Sequence, residues 1–350
     1  MFITGLGTSV PVTRYSQAQC WDALQESKIF GELQPRSRAI LKKVLLGNNG
    51  IATRHLALSP LSEAFAMTPD VLHARFAAHA PALAVAAAEQ ALGNAGLEVD
   101  AIDAVVISTC TGYLCPGLTS YVSERMRLRP DVLALDLVGQ GCVAALPNLR
   151  TGEALIASGR CEHVLSVCVE VCSAVMYIDD DPGVLISACL FGDASGAAVL
   201  SQRPSPQSRR VEWIMADSIL NPAARDLLRF ELRNGMLRNI LTQPVPELAA
   251  EHAGKVFEKV ARAAGVKQEQ IRAWIWHAGG RDILLALKDR FHFEDADLFW
   301  SASVLRDLGN VSSSCVYHVM ERAMKAPGGY WWLSSFGAGF SSHGALLRVE

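Results

Sequence analysis

The sequence has no run of eighteen apolar residues, no Cys-x-x-Cys pair and no strong excess of charge of either sign. The first absence argues against a transmembrane helix, which needs about 20 such residues. The second denies zinc its usual ligand spacing; Cys168 and Cys172 lie four apart with no second pair to join them. A net charge of −3 gives no electrostatic reason to expect nucleic acid or an anionic membrane as partner. The Gly-x-Ser-x-Gly turn of hydrolases and the phosphate-cradling P-loop are also missing. Gly5-Leu-Gly7 lacks the third glycine and the later acid of a dinucleotide fingerprint. Flexible linkers are nearly absent, the one Pro/Ser-rich stretch being Ser201–Ser208.

What is present is a large apolar chain. Its 350 residues exceed a typical single domain, so two packed units or one duplicated unit is expected. Half the residues are apolar and 19% are charged, which suits a well-buried α/β core. The cysteines number nine, but an odd count in a chain this size does not read as a disulfide framework. Cys110, Cys168 and Cys189 have apolar neighbours, where cysteine packs as a small hydrophobe. The N-terminus, Met1-Phe-Ile-Thr-Gly-Leu-Gly, reads as a strand without the basic start of a signal peptide, so a cytoplasmic location is expected.

Strand and helix signals alternate along the chain, the pattern of α/β layers. Asp103–Thr109 reads as a buried strand, Val132–Leu137 as a second that runs into Gly141-Cys142, and Val143 to about Ser158 as a helix. Val164–Val169 and Ser195–Leu200 complete a first unit. The order then repeats: a strand at Ile271–Trp276, a helix from about Asp282 to Arg290, and a helix opened by Leu308-Gly-Asn310 that runs to about Met324. Strands from Tyr330 and from His343 close the second unit. Cys110 precedes Cys142 by 32 positions and His277 precedes Asn310 by 33. We therefore expect a duplicated chain, residues 1–205 and 206–350, with Cys142 and Asn310 as helix starts brought near His277. Thr13 to about Met67 stands before the repeat as mixed helix and loop.

Three polar residues sit at these junctions. Cys142 follows a Gly-Gln-Gly turn, where unpaired N–H groups and the positive end of the helix dipole are expected to lower its thiol pKa. A buried structural cysteine is the bland reading. His277 ends an apolar strand and is followed by Gly279-Gly280, which keep the backbone thin beside a ligand; a satisfied core histidine is its alternative. Asn310 can cap the helix that follows or donate to a substrate carbonyl. A thiol, an imidazole and an amide together are what acyl transfer through a thioester requires. They also allow carbon–carbon bond formation: loss of CO₂ from a malonyl thioester leaves an enolate held by His277 and Asn310, which attacks an acyl group on Cys142.

Gly-Gln-Gly-Cys142, Trp-His277-x-Gly-Gly, Gly-Asn310-x-Ser-Ser and Leu-Phe191-Gly-Asp make the chain resemble a type III polyketide synthase of the chalcone synthase-like group, from about Leu41 to Val349. That resemblance implies a thiolase-like duplicated α-β-α-β-α layered fold and iterative condensation onto an acyl starter, followed by cyclisation to a pyrone or phenol. It implies acyl-CoA and malonyl-CoA as substrates, no cofactor and no metal. By the same resemblance Phe191 is a gatekeeping aromatic, and Cys110, Thr111, Val175, Leu185, Ser187 and Ser312 line the cavity. Cys115 falls where a partner subunit reaches across a homodimer interface.

The departures set further expectations. The family's terminal Gly-Phe-Gly-Pro-Gly is Ser335-Phe336-Gly337-Ala338-Gly339 here. Its second gatekeeping Phe is replaced by Leu237 or Arg238, and Arg238 either faces the cavity to meet a carboxylate or points to solvent. Positions that are basic in plant members are Leu41, Val44 and Asn48, with Lys42 and Lys43 nearby, which leaves a carrier-protein thioester open beside coenzyme A. Two other readings stay open: a ketoacyl synthase III-like enzyme making a single condensation, and a non-catalytic acyl-binding scaffold. The starter, the number of extensions and the cyclisation route are not legible.

Overall fold

The computed structural model describes residues 1–350. Its first half opens with β1 (Phe2–Ser9) and then an N-terminal cap of β2 (Arg14–Ser16), α1 (Gln17–Glu26), α2 (Lys28–Glu32), α3 (Pro35–Leu46) and β3 (Thr53–His55). Next come α4 (Pro69–Ala95), β4 (Ala104–Thr109), α5 (Leu118–Met126), β5 (Leu133–Val138) and α6 (Ala145–Ala157). β6 (His163–Glu170), α7 (Pro182–Leu190) and β7 (Ala194–Ser201) complete it. The second half holds β8 (Val211–Leu220), a hairpin of β9 (Leu228–Arg233) and β10 (Met236–Leu241), and α8 (Val245–Ala264). It ends with β11 (Ile271–Trp276), α9 (Arg281–Phe291), α10 (Phe299–Leu308), α11 (Cys315–Ala323), β12 (Gly329–Gly337) and β13 (Ser341–Val349).

Nine strands form one mixed sheet in the order β11-β12-β13-β8-β1-β7-β6-β4-β5. From β1 outward the pairings run antiparallel, antiparallel, parallel, and from β8 outward they run the same way. β1 and β8 meet at a single pair, Phe2 opposite Glu212, so the seam between the repeats lies there. This is the duplicated layered fold that the spacing of the motifs predicts. β5 has no counterpart in the second half, where α10 takes its place in the order.

Composition explains the layers. α4 is long and apolar enough to cross a membrane by length and composition alone, but it lies on the sheet instead. Thr68 caps its first turn, Pro69 opens it and Gly96, at φ 69°, ends it. Its Ala80, Ala84, Ala87, Ala88 and Ala91 are fully buried, and a stripe this small lets the helix sit close on β1. There a Cβ on Gly5 or Gly7 would come within 2.1 Å of a helix carbonyl. On the other side Trp274 and Trp276 stack with ring centroids 5.7 Å apart, and Phe257 packs edge-on to Trp332 at 5.1 Å. Aromatic residues bury ~150–250 Å² each, which anchors β11 and the residue that follows it, His277.

Two sequence expectations are corrected. The helix after Cys142 is preceded by a 3₁₀ turn, Gly141–Val143, so Cys142 lies in that turn rather than at the start of α6. Asn310 is not a helix start. Gly309 at φ 74° ends α10, Asn310 forms an isolated parallel bridge with Phe191, and only after the 3₁₀ turn Ser312–Ser314 does α11 begin. The expectation of one continuous helix fails because the glycine and this long-range pairing interrupt it.

Candidate active site

Cys142 sits where the turn Gly141–Val143 of the first half meets the end of β12 in the second. Gly141 holds φ at 61°, a left-handed value that costs glycine little, and a Cβ there would lie 3.0 Å from the Ala338 methyl group. Gly337, at the end of β12, approaches the same turn; a Cβ on it would meet the Cys142 amide nitrogen at 3.1 Å. The thiol therefore projects from a tight backbone contact between the halves.

Its one hydrogen-bond partner is the Ser312 hydroxyl, with Sγ and Oγ 3.3 Å apart. Ser312 is a non-glycine residue at φ 51°, a strained conformation of the kind that clusters at functional sites. Its hydroxyl also stands 3.3 Å from Cys110 Sγ and donates at 3.3 Å to Glu170. Glu170 is fully buried at the end of β6. Its carboxylate accepts from the Cys110 N–H at 3.1 Å, from the Thr111 hydroxyl at 2.9 Å and from the Ser313 hydroxyl. Burial raises its pKa against the pull of these donors. The sequence reading overlooks Glu170, although a lone acid in Val-Cys-Val-Glu-Val-Cys is a signal: an isolated charge in a buried strand needs partners.

The Cys142 thiol is pushed up to about 12, first by burial, with the Ser312 hydrogen bond lowering it and the Glu170 charge raising it again. The expected lowering by a helix dipole does not win, because the thiol is enclosed by protein and precedes α6 by a 3₁₀ turn. His277 is 2% exposed, its Nδ1 has no partner, and burial lowers it to about 4. Its ring packs edge-on to Phe336 with centroids 5.5 Å apart. At neutral pH the resting pair is thiol and neutral imidazole, with no hydrogen bond joining them.

The Asn310 side chain caps no helix, but it both accepts and donates. Its Oδ1 accepts the Ser312 N–H at 2.9 Å, while Nδ2 donates to the Gly279 carbonyl at 2.9 Å and keeps a second N–H free. Cys142, Ser312, Asn310 and Gly279 thus form one hydrogen-bonded chain that ends two residues from His277.

Cys142 opens on a cavity holding about 660 Å³ of unfilled space, mouth included. Of the residues predicted to line it, Cys110, Thr111, Val175, Ser187, Phe191 and Ser312 do. Leu185 does not; on the opposite side of α7, it is fully buried among Leu41, Leu45 and Trp21 of the cap. Phe336 packs on His277 and does not line the cavity, and Cys115 is exposed in the loop before α5. Arg229, Phe230 and Asn239 of the β9–β10 hairpin form a wall the sequence reading missed.

Arg238 neither lines the cavity nor points to solvent. Its side chain is 5% exposed and reaches Asp179 at 3.1 Å, Asp181 at 3.4 Å and Glu231 at 2.6 Å. This cluster clamps the hairpin to the start of α7. Arg238→Met leaves three carboxylates facing one another, and we expect a loss on the order of 3 kcal/mol, reduced from a fully buried case because the acids are partly solvated. Urea unfolding measures it; a loss below about 1 kcal/mol would place the cluster with ordinary surface pairs.

Comparison with known proteins bears on this geometry. Residues 12–218 match the family model for FAE1/type III polyketide synthase-like proteins, and residues 213–348 match the C-terminal domain of chalcone and stilbene synthases. The chain is 29% identical to 1,3,6,8-tetrahydroxynaphthalene synthase of Streptomyces peucetius subsp. caesius, over 99% of this chain and 92% of that protein. It is 28% identical to 3,5-dihydroxyphenylacetyl-CoA synthase of Streptomyces toyocaensis, over 99% and 89%. Phloroglucinol synthase of Pseudomonas fluorescens is also 28% identical, over 88% and 89%. Among solved structures, PKS-I of Ectocarpus siliculosus superposes with a TM-score of 0.90 at 22% identity, covering 99% and 98%. The tetrahydroxynaphthalene synthase of Streptomyces coelicolor A3(2) does so at 0.88 and 21%, covering 100% and 99%. At these identities the structural likeness speaks for the fold.

Proposed function

This chain belongs to the type III polyketide synthases, and on that premise we propose that it condenses malonyl-CoA units iteratively onto an acyl group carried by Cys142 and releases a small polyphenol or pyrone. The observation that carries the proposal is the hydrogen-bonded chain that starts at Cys142 and Ser312 in the wall of an apolar cavity and runs through Asn310 to Gly279, two residues from His277. In loading, the Cys142 sulfur attacks the starter thioester, its proton passes to the neutral imidazole of His277, and coenzyme A leaves as the thiol. In extension, malonyl-CoA loses CO₂ and the enolate oxygen is held by His277 and the free Asn310 N–H. A pair of such donors, fixed before the charge develops, supplies ~3–4 kcal/mol each in a dry site. The enolate carbon then attacks the acyl thioester and frees Cys142 for another round. No general base is needed, because decarboxylation generates the carbanion.

We take the donors to be coenzyme A thioesters and the location to be cytoplasmic. Lys42 and Lys43 are exposed on α3, and the cleft beyond it carries Arg306, with Arg281 donating to the Asn48 carbonyl at 2.8 Å. These cations can meet phosphates that Leu41, which is buried, cannot. We also propose a homodimer. β5 ends the sheet with its outer edge unpaired, Leu133 and Val138 are 42% and 58% exposed, and Tyr113, beside the Cys115 loop, is 69% exposed. Such an edge invites a second copy.

The test is product mass spectrometry of the purified protein with malonyl-CoA, alone and with a panel of acyl-CoA starters. Products carrying two or more malonyl-derived units are expected. A single condensation product would move the assignment to a ketoacyl synthase III-like reaction, and inertness towards every coenzyme A ester would leave carrier-protein donors or a scaffold. Light scattering in the same buffer decides the dimer.

A further inference from the structure

A second cavity adjoins the first and shares two wall residues with it, Met176 and Ala188. It holds about 410 Å³ of unfilled space, mouth included, between α7 and the N-terminal cap. Leu24, Leu41, Leu45, Phe65 and Ile178 make its walls apolar, and Arg54 alone is charged. Arg54 is 3% exposed, yet its hydrogen bonds all go to neutral oxygens: Nε to Gln17 Oε1 at 3.1 Å, and Nη1 to the Ala188 and Phe191 carbonyls at 2.8 and 2.9 Å. The two carbonyls lie at the C-terminal end of α7, whose dipole offsets part of the charge. The other terminal nitrogen, Nη2, makes no hydrogen bond within the chain. A buried guanidinium is ordinarily matched by a carboxylate, since an unmatched buried charge is expensive, and here no acid of the protein supplies one.

We infer that this cavity binds the carboxylate end of a saturated aliphatic chain, with the carboxylate on Arg54 and the methylenes along the leucines. Two sources have this chemistry. One is an acyl starter with a second, distal carboxylate, its thioester end at Cys142 and its chain passing Met176, whose flexible thioether can swing aside; that source rests on the function proposed above. The other is a free fatty acid that fills the cavity by itself.

The experiment uses the intact protein in two arms. Isothermal calorimetry with decanoate and decanol reads binding, and steady-state kinetics with suberyl-CoA and octanoyl-CoA reads a distal carboxylate against a distal methyl. The wild type is expected to bind decanoate at least about tenfold more tightly than decanol, the weight of one charge-assisted hydrogen bond. Ala64→Phe, which fills the cavity from the turn before α4 without touching Arg54's partners or Cys142, removes that binding and leaves extension of acetyl-CoA unchanged. Arg54→Lys keeps most of the preference and Arg54→Gln loses it. If suberyl-CoA also exceeds octanoyl-CoA about tenfold in kcat/KM and decanoate competes with it, the starter is the source. Decanoate binding without that preference assigns the free acid. No saturable decanoate binding and no suberyl preference, or a preference that survives Ala64→Phe, overturns the inference. Inertness with acetyl-CoA and malonyl-CoA while decanoate binds would instead count against the proposed function alone.

Discussion

Cys142→Ala abolishes polyketide formation, lowering kcat at least about a thousandfold, because the other thiols of the cavity, Cys110 and Cys172, are held protonated by burial and by the charges of Glu170 and Asp193. Intact-mass measurement after exposure to an acyl-CoA shows the acyl adduct on the wild type and none on the variant. His277→Ala and Asn310→Ala separate the two half-reactions. Release of CO₂ from malonyl-CoA falls ~100- to 1000-fold in each, the loss expected for one donor to a developing oxyanion. Asn310→Asp is the sharper control: it keeps the oxygen that accepts the Ser312 N–H and removes the Nδ2 donor. A variant at Asn310 that decarboxylates at the wild-type rate would remove the amide from the mechanism. Residual turnover in Cys142→Ala above a few per cent would remove the thiol.

Acid unfolds the protein between about pH 6 and pH 4. His277, His318 and His343 are held neutral by burial at about 4, 3 and 4, whereas in the unfolded chain each titrates near its ordinary ~6.5. The folded pKa is depressed, so the unfolded chain takes up protons first and stability is lost as pH falls below about 6.5. Each histidine contributes about 1.4 kcal/mol per pH unit, roughly 4 for the three. Glu170 and Asp193 act with the opposite sign, since burial raises their carboxyl pKa and acid relieves them. Asp103, Asp217 and Asp307, whose pKa values are lowered, join the loss only below about pH 4. The net slope is therefore on the order of 1–4 kcal/mol per unit against a total stability of ~5–15 kcal/mol. Urea midpoints at pH 7, 6 and 5 measure it, and His318→Gln should flatten the slope. Constant stability from pH 7 to pH 4.5 would contradict the prediction.

The reaction residues are legible in the sequence for a local reason: each follows a short apolar strand or turn bounded by glycine, and such boundaries are written in neighbouring residues. Cys142, His277 and Asn310 all lie at junctions of this kind, and the repeated spacing of 32 and 33 residues links them. What escapes is set by distant contacts. The Cys142 pKa depends on enclosure by the opposite half, so the local dipole argument points the wrong way. Asn310 reads as a helix start because its pairing with Phe191 spans more than a hundred residues. Arg238 is misplaced for a different reason: Asn234-Gly235 between alternating runs is a hairpin signal, and taking it as one would have put Arg238 opposite Glu231, its observed partner. Glu170 was readable as a lone acid among buried residues, but its partners lie 60 and 143 positions away.

The bridge between Phe191 and Asn310 is closed on both sides. Asn310 donates its N–H to the Leu190 carbonyl at 2.9 Å, and its own carbonyl accepts the Gly192 N–H at 3.0 Å. A wall of the cavity and a member of the reaction set are consequently one mechanical piece. Divergence that reshapes the cavity at Phe191 disturbs the amide, so a new product would come at the expense of rate. The β9–β10 hairpin has no such tether to Cys142, His277 or Asn310 and is fastened through Arg238 to acids outside the reaction set. Inherited variation in product size should therefore accumulate on the hairpin face, at Arg229, Phe230 and Asn239, while the opposite wall stays fixed.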